Sequence, residues 1–347
     1  MDESIHCYKL ENNWINKIVK RLLILLPIGL LANLVLSYVL TDSQIFIILN
    51  RLSVFQWVLC FMLSVIPWFT HLLRMKIWLW FLGENIKIRD IFSIAIGTEL
   101  GAGISPTAMG GGVLKASMLM QHGIKPGTAI SLTLLGSIED HAFFLIAVPV
   151  AFILSASEAH DAIFSIFERA TIPDMRLIFS GLAVLILAVS SIRLILKRFF
   201  PSLVISDKLK KTFRQMLSDI KSVYVMIGRG GKRFFLLALL VTAVHWVARY
   251  SIIVVLLRGL GFELDPIQCF LLQWIIAVFS LVVPTPGASG GAEASFYVIF
   301  GILLPDSVIG LVTPMWRFLT YYFQLGFGAL LYTFLTFAIL KKKKHGL

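Results

Sequence analysis

Apolar runs near or above the length of a bilayer crossing follow one another along this chain, at about 22–40, 54–82, 128–155, 176–197, 234–257 and 308–338. A membrane-spanning helix needs ~20 such residues, and hydrocarbon offers no partner to an unpaired backbone N–H or C=O. With 58% hydrophobic and only 14% charged residues, 347 residues lack the polar surface to cover a soluble globule. These runs therefore read as helices of an integral membrane protein. The first run has no small-residue cleavage site and is long enough to span, so it reads as the first helix rather than a signal peptide.

Two further apolar stretches, about 91–122 and 266–303, are each broken in the middle by Pro and Gly. Each is long enough for two half-spans or two short spans. Their direction follows from Lys and Arg, which collect on the cytoplasmic side of a membrane. With the N-terminus inside and each broken stretch returning to its side of entry, the inner face gathers Lys9, Lys17, Lys20, Arg21, Arg74, Lys76, Lys87, Arg89, Lys125, ten basic residues from Lys197 to Arg233, and Lys341 to Lys344. The outer face keeps Arg51, Arg169, Arg176 and Arg258 beside acids such as Glu158, Glu263 and Asp306. Both termini are thus expected in the cytoplasm, with the first broken stretch entering from inside and the second from outside. The net charge of +12 follows from this arrangement, and nucleic acid is set aside as a partner. Cys7, Cys60 and Cys269 are too scattered for a disulfide framework or a metal site.

The two interruptions resemble each other. "SPTAMGG" at 105–111 and "TPGASGG" at 285–291 share Ser/Thr, Pro, x, Ala, x, Gly, Gly at an offset of 180 residues, with Lys115 or Glu293 following. Copies that enter from opposite faces form inverted-topology repeats, and matched interruptions in such repeats point to a transporter's central site. The expected architecture is an all-α membrane protein of about six full transmembrane helices plus two broken or re-entrant helical hairpins. It forms one polytopic domain, 1–347, with halves at about 18–197 and 234–340 and a basic linker, 198–233. Pro106 and Pro286 open the helix, while Gly110, Gly111, Gly290 and Gly291 would start half-helices whose N–H groups and dipole favour an anionic head group. The competing reading is a pair of kinked spanning helices with Gly for close packing.

Charges inside the apolar segments supply the second line of reasoning. Glu99, Lys115, Glu139, Asp140, Arg249, Glu293 and Arg317, with His141 and His245, must face the bundle interior, a cavity or the interface. His245 and Arg249 share a helical face, as do Arg317, Tyr321 and Gln324. Lys115, Arg249 and Arg317 would line a site for a phosphate-bearing substrate, because guanidinium grips phosphate oxygens bidentately. Mutual pairing of Glu99, Glu293, Arg249 and Arg317 would instead lock the fold. Glu139, Asp140 and His141, with His245, are candidates for a proton relay or for pairing with the arginines.

Catalytic motifs are otherwise missing: there is no GxSxG, HExxH, GxxxxGK[ST] or GxGxxG. No catalytic residue, metal or cofactor is expected. "KLKKTFRQMLSDIKSVYVMIG" reads as a basic amphipathic helix lying on the cytoplasmic leaflet, suited to anionic lipids.

"SPTAMGGGVLKASMLMQHGI", "PTPGASGGAEASF" and "WRFLTYY" are similar to motifs of the flippase-like membrane domain family, which includes the transmembrane region of lysylphosphatidylglycerol synthases. The resemblance covers about 10–340. Its most specific part is filled by Pro284, Pro286, Gly287, Gly290 and Glu293. It implies a polytopic bundle with two re-entrant hairpins that binds a lipid head group and moves the lipid between leaflets of the cell membrane. The soluble aminoacyl-transferase domain of the synthases is not in this sequence, so the resemblance implies a transporter rather than an enzyme. Lys115 stands where an arginine is frequent, and Gly112 where an acidic or amide residue is frequent. Two alternatives stay open: an ion-coupled transporter of a small anion, and a membrane-embedded lipid transferase with Glu139, Asp140 or His141 as base. Anionic membrane lipids are the expected partners, with room for an enzyme at the cytoplasmic face.

Overall fold

The computed structural model describes residues 51–155 and 214–344, apart from positions 106, 107, 216, 219, 223, 226, 282 and 284. The spans expected at 22–40 and 176–197 and most of the linker lie outside the described residues. Within them the chain is helical, without a strand.

Local chemistry explains where the helices start. Helix α1, Val54–Phe81, opens on a capping box: Ser53 Oγ accepts from Gln56 N–H, and Gln56 Oε1 accepts from Ser53 N–H at 2.8 Å. The first broken stretch resolves into α2, Ile88–Ile104, and α3, Met109–Gln121. Pro126 occupies the first turn of α4, Pro126–Leu154, where its missing N–H has no partner to lose. A π-helical turn, Ile227–Gly231, leads into α5, Lys232–Gly259. Asp265 caps α6, Pro266–Ser280, by accepting from Ile267 N–H. The second broken stretch continues as α7, Gly291–Phe300. The long final run is α8, Asp306–Arg317, a π turn at Phe318–Tyr322, and α9, Phe323–Lys344.

Helices α1, α4, α5 with its lead-in, and the α8–α9 run are long and apolar enough to cross a membrane. Side chains such as Leu145 and Phe334 stand exposed on these helices, at 77% and 70%, so hydrocarbon or further apolar helices must cover those faces. Helix α1 packs most extensively on α5, and α2 on α3. The buried apolar residues fall into two clusters. One joins α5–α8 to the start of α1, and the other joins α1–α4 to α9.

The helix boundaries repeat. Moved by 178 residues, α1 and α2 start where α5 and α6 start, and moved by 180, α4 starts where α8 starts. Gly83 and Gly261, also 178 apart, follow the ends of α1 and α5 with φ of +71° and +88°. Ala108 and Ala288, 180 apart, have φ of +58° and +53°. Positive φ is uncommon without glycine, and both alanines sit in the breaks of their hairpins. They are the only two such non-glycine residues among those described.

Candidate functional site

Between the two apolar clusters lies a cavity of about 370 Å³, lined from every described helix except α3 and the π-helical turn before α5. Its walls carry His71 and Arg74 of α1, Glu99 of α2, Asp140 of α4, His245 and Arg249 of α5, Gln273 of α6, and Arg317, Thr320, Tyr321 and Gln324 of the last run. Ala108 and Ala288 bring the breaks of both hairpins to its surface.

Arg317 and Tyr321 hold the two hairpins together. Arg317 Nε donates to Glu293 Oε1 at 2.9 Å, and Nη2 donates to the Gly287 carbonyl. The guanidinium lies 4.2 Å from the centre of the Tyr321 ring, whose hydroxyl donates to the Gly103 carbonyl of the first hairpin at 2.9 Å. Glu293 also accepts from Gly290 N–H at 2.7 Å, which fixes the start of α7. The π turn follows Arg317 directly and sits one turn beyond Pro314, a place where such turns re-aim side chains.

A second charged network crosses α1 and α4. Arg74 Nε donates to Glu139 at 2.6 Å, Nη1 to Asp140 at 2.9 Å, and Nη2 to the Gly136 carbonyl at 2.6 Å. The indole N–H of Trp78 donates to Glu139, and that of Trp246 to Asp140 at 3.0 Å. A Cβ placed on Gly136 would meet Lys115 Nζ at 3.5 Å and Arg74 Nη2 at 3.6 Å, so both cations converge on that glycine. His71 Nδ1 lies 3.1 Å from Glu99 Oε1, and His245 Nδ1 lies 2.9 Å from Thr70 Oγ1.

Arg249 differs from the other two arginines. Its guanidinium makes 3.3 Å contacts with Gln324 Oε1 and the Thr320 carbonyl, and no carboxylate lies in ion-pair range among the described residues. Two neighbours on the cavity wall are similarly unengaged. The Tyr250 hydroxyl and the Trp316 indole N–H are buried without a hydrogen-bond partner.

Several expectations are corrected. The glycine amides do not greet the cavity as open donors: Gly110 N–H donates to Ser105 Oγ at 2.8 Å and Gly290 N–H to Glu293. Gly110, Gly111, Gly290 and Gly291 are not among the lining residues, and neither are Pro286 and Lys115. The first pair serves packing, since a Cβ on Gly110 would lie 2.6 Å from the Gly101 carbonyl and one on Gly111 2.7 Å from that of Thr98. Helix α3 also starts at Met109, one residue before the pair. Glu139, Asp140, His141 and His245 do not form one relay. Arg74 takes both acids, and His141 is exposed, donating from Nδ1 to the Ser137 carbonyl of its own helix at 2.6 Å. Arg74 itself is 4% exposed inside α1, so it leaves the count of cytoplasmic charges. Pro106 lies outside the described residues.

His71, Arg74, Tyr250, Gln273 and Trp316 were not singled out by sequence reasoning. For Arg74 a signal existed: Gly83 marks the end of α1, which puts His71 and Arg74 on one face about two turns inside the helix.

The whole chain can now be compared with known proteins. A family model described as the lysylphosphatidylglycerol synthase TM region matches residues 21–328. A membrane protein of Archaeoglobus fulgidus named UPF0104 membrane protein is 26% identical over 320 residues, which is 87% of this chain and 94% of the archaeal one. The family match includes both hairpins and the arginine of the last run, the parts from which the cavity is built. This membrane protein belongs to the lysylphosphatidylglycerol synthase transmembrane-region family.

Proposed function

We propose that the protein moves a lipid with an anionic, phosphate-bearing head group between membrane leaflets, and that the cavity holds the head group during passage. The observation that carries this reading is Arg249, a cavity-lining cation without a carboxylate in ion-pair range among the described residues, in a cavity also lined by Tyr250 and Trp316, whose buried hydroxyl and indole N–H have no partner. A buried donor left unmatched costs about 1–3 kcal/mol, and more for a charge. An oxygen-rich anion supplies the acceptors. A volume of about 370 Å³ suits a phosphoglycerol-sized head group rather than a whole lipid, so the acyl chains would stay in the bilayer.

The matched helix starts and the paired Ala108 and Ala288 support two structural repeats. In this reading they are inverted, the termini are cytoplasmic, and rocking of one half against the other changes the side of access. The transferase alternative gains little from the geometry, because Arg74 engages Glu139 and Asp140 and His141 is not among the cavity-lining residues.

Binding of short-chain phosphatidylglycerol and phosphatidylcholine to the detergent-solubilised protein tests the reading. Phosphatidylglycerol should bind more tightly, and Arg249→Ala should weaken it by about tenfold or more, the effect of losing a charge-assisted hydrogen bond. Equal affinity for both lipids, unmoved by Arg249→Ala, would remove the head-group site.

A further inference from the structure

We propose that head-group binding takes up one proton on the His71–Glu99 pair, so that the anionic lipid and a proton travel together. This rests on the lipid-translocating reading above and adds how the passage is powered.

Among the described residues, the charges in and against the cavity balance. Arg74, Lys115, Arg249 and Arg317 supply four cations, and Glu99, Glu139, Asp140 and Glu293 supply four carboxylates. The set is neutral while His71 and His245 are neutral. A phosphodiester monoanion entering it adds one negative charge to this neutral set, in a cavity lined mainly by apolar surface. An uncompensated charge at membrane depth costs several kcal/mol, so a matching positive charge must arrive with it or the lipid binds poorly.

Of these four carboxylates, Glu99 alone makes no hydrogen bond to an arginine among the described residues. Glu139 and Asp140 accept from Arg74, and from Trp78 and Trp246. Glu293 accepts from Arg317 and from Gly290 N–H. Glu99 is bonded to a titratable ring, His71 Nδ1, at 3.1 Å, with the two side chains 25% and 16% exposed on the cavity wall. A proton reaching this pair makes an imidazolium held by a carboxylate, and the site gains one positive charge without any bond being broken.

The surroundings of His71 set the competition for that proton. Arg74 acts on it from its own helix, Glu99 from α2, Lys115 from α3 and His245 from α5, while Asp140 of α4 and Arg249 of α5 share the same cavity wall. The π turn contributes the neutral Tyr321. Within this set His71 and Glu99 are the imidazole and carboxylate that are bonded to each other on the cavity wall. The lipid favours the protonated pair, so its affinity is complete at low pH and falls as pH rises through the pair's titration, by about tenfold per unit for one linked proton.

Isothermal titration of the full-length protein with dihexanoyl phosphatidylglycerol, in two buffers of different ionisation enthalpy, tests this from about pH 6 to 8. The expected result is uptake of close to one proton per lipid, and an affinity that declines across the range. Glu99→Gln and His71→Gln should each abolish the uptake and flatten the pH profile; if either fails to fold, the wild-type proton count still decides. Tight binding with no proton uptake would overturn the coupling and leave the head-group site standing. Uptake that survives both substitutions would overturn the assignment to this pair. Absence of phosphatidylglycerol binding at every pH would remove the head-group reading, and the coupling with it.

Discussion

The Arg317 guanidinium and the Glu293 carboxylate meet at 2.9 Å with their side chains 7% and 6% exposed, and this pair ties the last transmembrane run to the second hairpin. Buried pairs of this kind stabilise little against an apolar replacement of both partners, but removing one partner leaves the other charge stranded. Glu293→Ala should therefore lower stability by about 3–5 kcal/mol, and the double change Glu293→Leu with Arg317→Met by much less than the two single changes together. Thermal unfolding in detergent checks this.

At Gly287 the backbone has φ +59°, and a Cβ there would lie 2.1 Å from Tyr321 Cε2. Its carbonyl also accepts from Arg317. Gly287→Ala should displace Tyr321, break its bond to Gly103, and loosen both hairpins at once. The expected signature is faster hydrogen exchange at the ends of α2 and α7 alongside a loss of about 1–3 kcal/mol. Gly326→Ala, where a Cβ meets open space, should leave both unchanged.

Ala108 and Ala288 hold left-handed backbone at equivalent points of the two hairpins. Glycine removes the steric penalty of that conformation, which is about 1–2 kcal/mol for an L-residue, while adding freedom to the unfolded chain. Ala108→Gly and Ala288→Gly should each stabilise by about 0.5–1 kcal/mol. A gain at one position and a loss at the other would argue against equivalent hairpins.

The Arg74 network makes a different prediction. Glu139 is fully buried and accepts from both Arg74 and Trp78, so Glu139→Leu leaves the Arg74 Nε–H and an indole N–H without acceptors together, with Asp140 and the Gly136 carbonyl still on the guanidinium. Glu139→Gln keeps one acceptor. Thermal stability should fall by about 3–5 kcal/mol with leucine and by roughly half of that with glutamine.

Much of the fold was legible because hydrocarbon admits so few structures: runs such as 128–155 and 234–257 fall within a few residues of α4 and α5. The two breaks were legible from Pro and Gly, and the charged residues at 99, 249 and 317 from their apolar surroundings. What stayed hidden depended on pairing across the fold. Arg74 reads as part of a cytoplasmic basic cluster with Lys76 until it is seen buried against Glu139 and Asp140 of α4. The glycine pair 110–111 reads as an anion cradle until Gly101 and Thr98 of α2 are seen packed against it. Which arginine lacks a carboxylate among the described residues is likewise a property of three dimensions, since Arg249 and Arg317 look alike in sequence.

The central claim is that a lipid head group crosses through the cavity beside Arg249. Leaflet-resolved translocation in proteoliposomes, with phosphatidylglycerol, its lysyl derivative and a polyprenyl-phosphate sugar, measures it most directly. The account predicts that at least one of these lipids changes leaflet in wild-type vesicles, and that folded Arg249→Ala protein moves it at least tenfold more slowly, the loss of one charge-assisted contact. Translocation at the wild-type rate by Arg249→Ala, or no movement of any of the three lipids, would contradict it.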